Sequence, residues 1–519
     1  MKLLKSTATV GSATMLSRIL GFVRDVVLAK MFGASGETDA FFLAFRIPNF
    51  MRRLFAEGSF SLAFVPVLSE YKANGDREAL RDLIDHVTGT LAAILLVLTS
   101  VGIFAAPLVL SIFAPGWLAD DRPEFDLSAG MLRITFPYIM LISLTALAGG
   151  ILNTFERFLV PALTPVLLNL SLIAAALLLA EHLQVPVTAL AWGVLAAGIA
   201  QLLLQIPALI RLGLMPRPRW GWRHPGVRRI IKLMIPTLFG SSVAQVNLLF
   251  DSIIATFLVT GSVSWLYYSD RLLEFPLGVL GIALATVILP NLSQKHAKAS
   301  KAEFSATLDW ALRLAVIITV PAAVGLVALA GPILITLFQY DSFKPDDVRM
   351  SAYSLVAYSA GLPAFIAVKV LAPGFFARQD TSTPVKIAIA AMVTNMLLNL
   401  LFVGMLLYRG FEGPHAGLAL ASSAAAYLNA TLLYRGLRKS GVYQPGRGWV
   451  RLWIAVILAC STMGALLLFM THDIESWLQA SAILRVKNLV LTITFGVFIY
   501  IFTCMVAGIK KHDLLRGAK

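Results

Sequence analysis

Apolar runs of about 20 residues or more recur along almost the whole chain, and short polar segments separate them. A helix of that length crosses the hydrocarbon core of a bilayer, so each run predicts one membrane-spanning helix. The runs lie at residues 8–33, 38–68, 84–114, 128–152, 158–180, 186–210, 230–258, 264–293, 304–338, 350–377, 384–407, 414–436, 449–470 and 483–509. They predict an all-α polytopic membrane protein with fourteen spans and little chain left for a separate globular domain.

Basic residues are concentrated in every second loop of this pattern. The loops and the tail on one side of the membrane carry Lys72, Arg77, Arg81, Arg211, Arg217, Arg219, Arg223, Arg228, Arg229, Lys295, Lys298, Lys301, Arg435, Arg438, Lys439, Arg447, Lys510, Lys511, Arg516 and Lys519. The opposite side carries few basic residues, namely Lys30, Arg122, Lys344, Arg349 and Arg409. The positive-inside rule then places both termini in the cytoplasm, which requires an even number of spans.

The sequence repeats itself weakly at a shift of about 225 residues. The repeat predicts two pseudo-symmetric six-helix bundles, residues 1–210 and 230–436, related by a two-fold axis along the membrane normal. The basic segment 211–229 links the bundles, or anchors the chain to anionic lipid, and the two roles are compatible. Residues 437–519 add spans 13 and 14 and a cytoplasmic tail. The matched pairs are Asp25 with Asp251, Arg46 with Arg271, Pro66 with Pro290, and Asn169 with Asn399.

Composition excludes several classes of function. Hydrophobic residues make up 58% of the chain and charged residues 14%, with a net charge of +15. Because the basic residues lie in loops between spans, they indicate membrane orientation rather than nucleic-acid binding. Cys460 and Cys504 fall inside late spans and are interpreted as apolar fillers, not as a disulfide or a metal site. The sequence carries no nucleotide-binding loop, HExxH pair or Ser/His/Asp spacing, so it predicts a transporter without a cofactor rather than an enzyme.

Charged residues crowd the first two predicted spans. Each charge that faces lipid at mid-bilayer costs about 2.5–3.5 kcal/mol, so eight of them would cost roughly 20–28 kcal/mol, more than the packing of two helices returns. We therefore expect these side chains to face a water-filled cavity lined by protein, which is a substrate site by default. The eight residues are Arg18, Arg24, Asp25, Asp39, Arg46, Arg52, Arg53 and Glu57.

Helical spacing sorts these charges and those of later spans into faces. Arg18 and Asp25 are seven residues apart and share a face of span 1. One stripe on span 2 contains Arg46, Asn49, Arg53 and Glu57, and its last two residues form an i,i+4 pair. On span 8, Asp270 and Glu274 share a face beside Arg271, and Lys369 stands alone on span 10.

The carboxylates allow two interpretations. Asp25 and Glu57 either neutralise Arg24 and Arg53 in structural ion pairs or take part in function. Cations still outnumber these partners, which indicates a ligand with several negative charges. A diphosphate fits, because the planar guanidinium of arginine binds phosphate oxygens bidentately. Asp251 is compatible with a proton site, a Na⁺ site or an ion pair with an arginine of another span.

Two segments resemble the signatures of a known family. They are "GFVRDVVLAKMFGASGETDAFFLAFRIPNFMRRLFAEGSFSLAFVPVLSEY" and "APGFFARQDTSTPVKI". Both are similar to the MurJ/MviN lipid II flippases of bacteria, which belong to the multidrug/oligosaccharidyl-lipid/polysaccharide exporter superfamily. The resemblance extends over essentially the whole chain, including the two extra C-terminal spans.

The resemblance implies a fourteen-helix protein of the bacterial inner membrane that moves lipid II, a polyprenyl-diphosphate disaccharide-pentapeptide, from the cytoplasmic to the periplasmic leaflet. It implies that spans 13 and 14 form a groove for the polyprenyl tail. Partners would be lipid II, membrane lipids and other cell-wall synthesis proteins, with no nucleic acid. By the same resemblance the substrate-binding residues are Arg18, Arg24, Asp25, Arg52, Arg271, Glu274 and Lys369.

Coupling and gating are implied less directly. Asp39, Asp251 and Asn399 are the candidate coupling-ion or gating residues. Some relatives bind Na⁺ with carboxylates on spans 7 and 11, but this chain offers Asn395 and Asn399 on span 11. A neutral amide weakens a cation site, so Na⁺ coupling is not expected here. Membrane potential or protons remain alternatives, since moving one charge across 100 mV is worth about 2.3 kcal/mol.

Rival functions make different demands on the sequence. A related exporter of another lipid-linked oligosaccharide, or of amphiphilic drugs, would share the two-bundle plan. An exporter of cationic drugs would need an acidic, aromatic cavity, which the surplus arginines argue against. A membrane-embedded glycosyltransferase would need a catalytic carboxylate in a sizeable outer loop, and the longest predicted outer loops have about a dozen residues. The expected function is therefore lipid II translocation by alternating access.

Overall fold

The computed structural model of the protein describes residues 2–53, 60–297 and 300–509. All regular secondary structure in these ranges is helical, with no β-strand. Ten helical segments of the described residues are long and apolar enough to cross a membrane, and one of them, Pro123–Thr154, consists of two successive helices. The all-α polytopic prediction is therefore confirmed.

The first of two compact units covers residues 1–264. Ser35 begins one of its helices by accepting a hydrogen bond from the Thr38 N–H (3.2 Å), and Asp76 caps another in the same way. The helices of this unit are α1 (Lys2–Phe32), α2 (Gly36–Met51), α3 (Ser61–Ala73), α4 (Arg77–Phe104), α5 (Ala106–Phe113), α6 (Pro115–Ala119), α7 (Pro123–Thr135), α8 (Tyr138–Thr154), α9 (Leu159–Leu178), α10 (Thr188–Leu212) and α11 (Pro225–Ala255).

The core of this unit forms around α3. Phe64 and Leu68 of α3 are fully buried against α4, α8 and the start of α11, where Leu83, Ile151 and Ile230 meet them. Elsewhere α9 packs between α1 and α10, and α2 packs against α7. The α9–α1 contact brings a polar residue of α9 against the charged first helix.

The second unit covers residues 265–519. Helix α12 (Ser262–Pro276) begins at the end of the first unit and leads into a π-helical turn at Leu277–Gly281. The helices that follow are α13 (Ile282–Ala297), α14 (Lys301–Ala328), α15 (Ala330–Phe338), α16 (Pro345–Phe376), α17 (Ser382–Tyr408), α18 (Ala416–Lys439), α19 (Trp449–Met470), α20 (Ile474–Gln479) and α21 (Ala482–Val506).

Helix α16 is the centre of the second unit, since it packs against α13, α14, α15 and α18. The last two long helices, α19 and α21, pack against each other and against α14. One carboxylate fixes the loop before α19: Asp309 of α14 accepts hydrogen bonds from Tyr443 Oη (2.8 Å), Trp449 Nε1 (2.8 Å) and the Gly446 N–H (3.1 Å). Arg313 Nε binds its other oxygen at 2.7 Å.

A buried arginine fixes the last helix. Arg485 donates hydrogen bonds to the carbonyl oxygens of Trp477 (3.0 Å), Leu478 (2.6 Å) and Gln339 (2.9 Å). These carbonyls lie at or just beyond the ends of α20 and α15, where backbone acceptors lack intrahelical partners. The guanidinium therefore joins α21 to both helix ends.

The helix bounds recur at the shift of the sequence repeat. Helices α2 and α12 end 225 residues apart, at Met51 and Pro276, and α4 and α14 begin 224 apart, at Arg77 and Lys301. Both α2 and α12 are followed by a π-type turn. A shared break at the same place supports the internal repeat.

The ten membrane-length helices omit predicted spans 1, 2, 7 and 8. Charged residues interrupt α1. The helices α2 and α12 each have fewer than 18 residues, and the side chains of α11 are described only in part. The predicted repeat pairs spans 1 and 2 with spans 7 and 8. The predicted domain bounds at residues 210, 229 and 436 stay predictions. The division into compact units places α11 in the first unit, with the helices before it.

Candidate functional site

Arg24 and Asp25 form a buried ion pair on α1. Arg24 is 6% exposed and Asp25 3%. Arg24 Nε and Nη2 donate to Asp25 Oδ1 at 2.9 and 2.7 Å. The pair corresponds to the structural interpretation of Asp25. Removing one partner of such a pair is strongly destabilising, because it leaves an uncompensated charge.

A third residue completes this arrangement. Asn169 of α9 accepts a hydrogen bond from Arg24 Nη1 at 3.0 Å and donates one from Nδ2 to the Ser17 carbonyl at 3.0 Å. Gly21 of α1 lies beside this amide, since a Cβ built there would be in van der Waals contact with Asn169 Nδ2, at 3.5 Å. Asn169 thus holds the guanidinium of Arg24 and the backbone of α1 together. Sequence reasoning found Asn169 only as a repeat match.

Two other cations of the first unit are more accessible. Arg18, two turns before Asp25, is exposed and forms no ion pair with any described residue. Arg52 is half-buried at the π-type turn after α2, and its Nε and Nη2 bind Asn49 Oδ1 at 3.1 and 2.8 Å. Asn49 is thus an uncharged amide acceptor for this guanidinium. Glu57, predicted to pair with Arg53, lies outside the described residues.

The candidate residues of the second unit surround the break after α12. Arg271 Nη1 lies 2.7 Å from Glu274 Oε2, and this ion pair is half-exposed. The Arg271 guanidinium also lies 5.1 Å from the ring centroid of Tyr267. Lys369 of α16 crosses the π-helical turn, where a Cβ on Gly281 would lie 2.8 Å from its Cδ. Glycine at 281 therefore makes room for the lysine stem.

Asp39 has a defined structural role. Its carboxylate is buried and accepts hydrogen bonds from the backbone N–H groups of Gly261 and Ser264, both at 2.7 Å, and from the Ser264 hydroxyl. These donors lie around the first turn of α12, where N–H groups lack intrahelical partners and the helix dipole is positive. Asp39 is therefore a helix cap supplied by a residue more than 200 positions earlier in the chain.

Asp251 and Asn399 are both buried. Asp251 precedes Ser252, whose hydroxyl accepts a hydrogen bond from Arg46 Nη1. Asn399 Nδ2 donates to Asn395 Oδ1 at 2.9 Å, and Asn395 Nδ2 donates to Ser422 Oγ at 3.1 Å. The amide chain links α17 to α18. A coupling role for Asp251 or Asn399 stays a prediction.

One titratable group just outside the membrane-length helices has a large pKa shift. His415 precedes α18, is fully buried against the Trp265 ring (centroids 5.0 Å apart) and binds the Met350 carbonyl through Nε2 at 2.9 Å. Burial lowers its pKa to about 4, because the cationic form loses its hydration. His415 is therefore neutral at physiological pH.

The chain matches known proteins along its full length. A family model described as "Lipid II flippase MurJ" matches residues 28–487. A "Probable lipid II flippase MurJ" of Vibrio cholerae is 47% identical over 519 residues, 99% of this chain and 98% of the relative. A "Lipid II flippase MurJ" of Burkholderia cenocepacia is 43% identical, with both chains fully covered.

Solved structures show the same similarity. One titled "Lipid II flippase MurJ, inward closed conformation" has a TM-score of 0.79 and 27% identity, and the match covers 96% of this chain and 98% of that one. An inward-facing multidrug resistance MATE family transporter of the MOP superfamily has a TM-score of 0.67 at 13% identity, covering 84% of this chain and 98% of that one. The second similarity concerns the fold alone.

Proposed function

The chain belongs to the MurJ family of lipid II flippases, and from this premise we propose that it carries lipid II from the cytoplasmic to the periplasmic leaflet of the bacterial inner membrane. The single observation that supports this most is the set of cationic side chains held on membrane helices of both units. A diphosphate is the chemical group of lipid II that such cations bind.

The proposed topology has fourteen spans. Ten are the membrane-length helices, and the other four are α1, α2 with α3, α11, and α12 with α13. The first twelve spans would form two six-helix bundles related by the repeat, with α19 and α21 added as a groove for the polyprenyl tail. Both termini would lie in the cytoplasm, as the distribution of basic loops indicates.

The cations of the first unit differ in availability, which suggests an order of events. Arg18 is exposed and would meet the diphosphate first. Arg52 would exchange the neutral amide oxygen of Asn49 for a phosphate oxygen, which is the better acceptor because it is charged. Arg24 is held by Asp25 and Asn169, and a phosphate oxygen would have to replace one of these two acceptors. Arg24 would therefore engage the substrate last.

The cations of the second unit flank the break after α12. Arg271 would exchange Glu274 for phosphate more readily than Arg24 would exchange its carboxylate, because the Arg271 pair is half-exposed and solvent screens it. Lys369 would add a point charge beside the same break.

We assign Asp39 to gating rather than to ion coupling. Its carboxylate oxygens already accept three hydrogen bonds from residues 261 and 264. A conformational change that opens this end of the protein would break them and leave the start of α12 uncapped. The energy source is proposed to be membrane potential or protons, and the amide pair on α17 supports the expectation that Na⁺ is not used.

Headgroup exposure to the periplasm, measured after depletion of the protein, tests the function. Complementation with Arg18→Gln, Arg52→Gln, Arg271→Gln or Lys369→Gln is expected to reduce exposure and growth. Arg409→Gln is the matched control, since it removes one exposed positive charge from a loop. Unchanged exposure on depletion, in cells without a second flippase, would refute the function. Normal exposure in all four variants would refute only the residue assignment.

A further inference from the structure

The segment that joins α10 to α11 lies fixed along one face of α4. Its backbone N–H groups at Arg217 and Arg219 bind Asp85, to Oδ1 at 2.7 Å and to the carbonyl oxygen at 3.0 Å. The Gly221 N–H binds Thr90 Oγ1 at 3.0 Å. Three hydrogen bonds over five residues hold the segment in a single register on the helix.

Two glycines allow the segment to approach α4 closely at this contact. A Cβ at Gly89 of α4 would lie 2.2 Å from the Arg219 carbonyl oxygen, and a Cβ at Gly221 would lie 2.6 Å from His86 Cβ. Neither position tolerates a larger side chain without displacing the segment. The segment is therefore part of the folded surface of the first unit rather than a free tether.

The face of α4 that it covers leads into a row of exposed apolar side chains, which we infer to face lipid. Thr90, Ile94, Val97 and Val101 follow one another at helical spacing. Ile94, Val97 and Val101 are exposed apolar residues on a membrane-length helix. The segment thus lies at the end of a lipid-facing stripe. Thr90 is four residues from Ile94, which places the contact about 6 Å along the helix axis from the first of these side chains.

The segment presents aromatic and basic side chains on its outer side. Gly221 faces α4, and the residues on either side of it, Trp220 and Trp222, are 63% and 48% exposed. Their rings stack with centroids 6.2 Å apart and planes 10° apart. Arg217, Arg219 and Arg223 are exposed beside them. Tryptophan is enriched at the depth of lipid headgroups, where its ring is in an apolar and its N–H in a polar environment.

From this placement we propose that the segment 217–223 is an interfacial membrane anchor: the stacked Trp220–Trp222 pair inserts among the lipid headgroups and the three arginines bind anionic lipid. Three observations favour a bilayer: the position of the segment at the end of the apolar stripe of α4, the exposure of both tryptophan rings, and the positive charge of the arginines. Anionic lipid in the cytoplasmic leaflet attracts basic segments near its surface. An acidic protein partner would need these groups to stand clear of the bilayer, which the contact with the lipid-facing stripe opposes. The inference does not depend on what the protein transports.

Tryptophan quenching in vesicles tests the depth of the pair. The full-length protein is reconstituted in phosphatidylcholine with phosphatidylglycerol, and the emission of Trp220→Phe/Trp222→Phe is subtracted from that of the wild type. The difference signal isolates the pair from the other tryptophans of a chain that has nine. We expect lipids brominated near the headgroup to quench this signal more than lipids brominated deep in the chain, and aqueous iodide to quench it least. Trp192→Phe, which removes another exposed tryptophan, is the matched control.

A second variant tests the charges and keeps both tryptophans. In Arg217→Gln/Arg219→Gln/Arg223→Gln, the stronger quenching expected from brominated phosphatidylglycerol over brominated phosphatidylcholine should be lost. Quenching of the pair by iodide and not by brominated lipid would overturn the anchor and favour an aqueous or protein-bound loop. Equal quenching by the two brominated lipids in the wild type would overturn the recognition of anionic lipid.

Discussion

Loss of the Asn169 side chain should uncouple Arg24 from α9. The affected bond joins a charged donor to an amide oxygen, and charged hydrogen bonds contribute about 1.5–3 kcal/mol in soluble proteins. Interhelical bonds in membranes average about 0.6 kcal/mol with a maximum near 1.7. Because Arg24 is almost fully buried and charged, we expect a value near that maximum, about 1.5 kcal/mol.

A double-mutant cycle of Asn169→Ala and Arg24→Ala measures this coupling. The assay is thermal unfolding of the purified protein, followed by tryptophan emission. For a unit of this size, about 1.5 kcal/mol corresponds to roughly 3–6 °C in the apparent midpoint. Asn399→Ala is the matched control, since the predicted repeat pairs it with Asn169 but its Nδ2 bonds to Asn395 of the same helix, and its effect should add to that of Arg24→Ala. Additive effects of Asn169→Ala and Arg24→Ala would refute the reasoning.

Three further predictions concern stability. Asp39→Ala removes the cap of α12 and should lower the free energy of unfolding by about 1–2 kcal/mol. Asp39→Asn keeps an acceptor and should lower it less. Equal unfolding midpoints for both variants would contradict a capping role. His415 should make stability depend on pH: its pKa is about 4 when folded and 6.5 for an unperturbed histidine, so the unfolded chain binds more protons between these values. The contribution of His415 to the free energy of unfolding should therefore be full above pH 6.5 and should fall by roughly 3 kcal/mol as the pH drops to 4. His415→Phe should flatten this dependence in unfolding curves taken at several pH values. Arg485→Lys keeps the charge but loses the planar guanidinium, so we expect the free energy of unfolding to fall by about 2–3 kcal/mol. The control in the unfolding measurement is Arg451→Lys, which changes an exposed arginine with one carbonyl contact. Similar midpoints for the two variants would contradict the role of Arg485 in joining α21 to the two helix ends.

Spans and charges were predictable because the membrane limits the alternatives. Runs of apolar residues and the contrast between basic and nearly neutral loops are local properties, and the all-α fold follows from them. Arg271 with Glu274 was also predictable, since residues three apart on a helix are neighbours. The same reasoning identified Arg24 and Asp25 but left their pairing open.

The partners of these charges were not predictable. Asn169 lies 145 residues from Arg24, and Ser264 lies 225 residues from Asp39. Such contacts depend on the rotation of each helix about its axis and on its depth in the membrane. The apolar periodicity of the sequence indicates only which face of a helix is buried. The exposed Trp220–Trp222 pair was likewise hidden, because sequence shows that the linker is basic and aromatic but not which helix it covers.

By itself, the sequence determined that the chain is an all-α polytopic membrane protein, and it predicts which loops lie in the cytoplasm and that the excess positive charge serves an anionic ligand. Desolvation enforces these outcomes, whatever the neighbours of each residue are. Only the tertiary structure decided which cations are sequestered and which are available, since hydrogen bonds of about 3 Å between distant helices require a particular packing. Arg24 held by Asn169, and Arg18 left exposed on the same helix, show the difference.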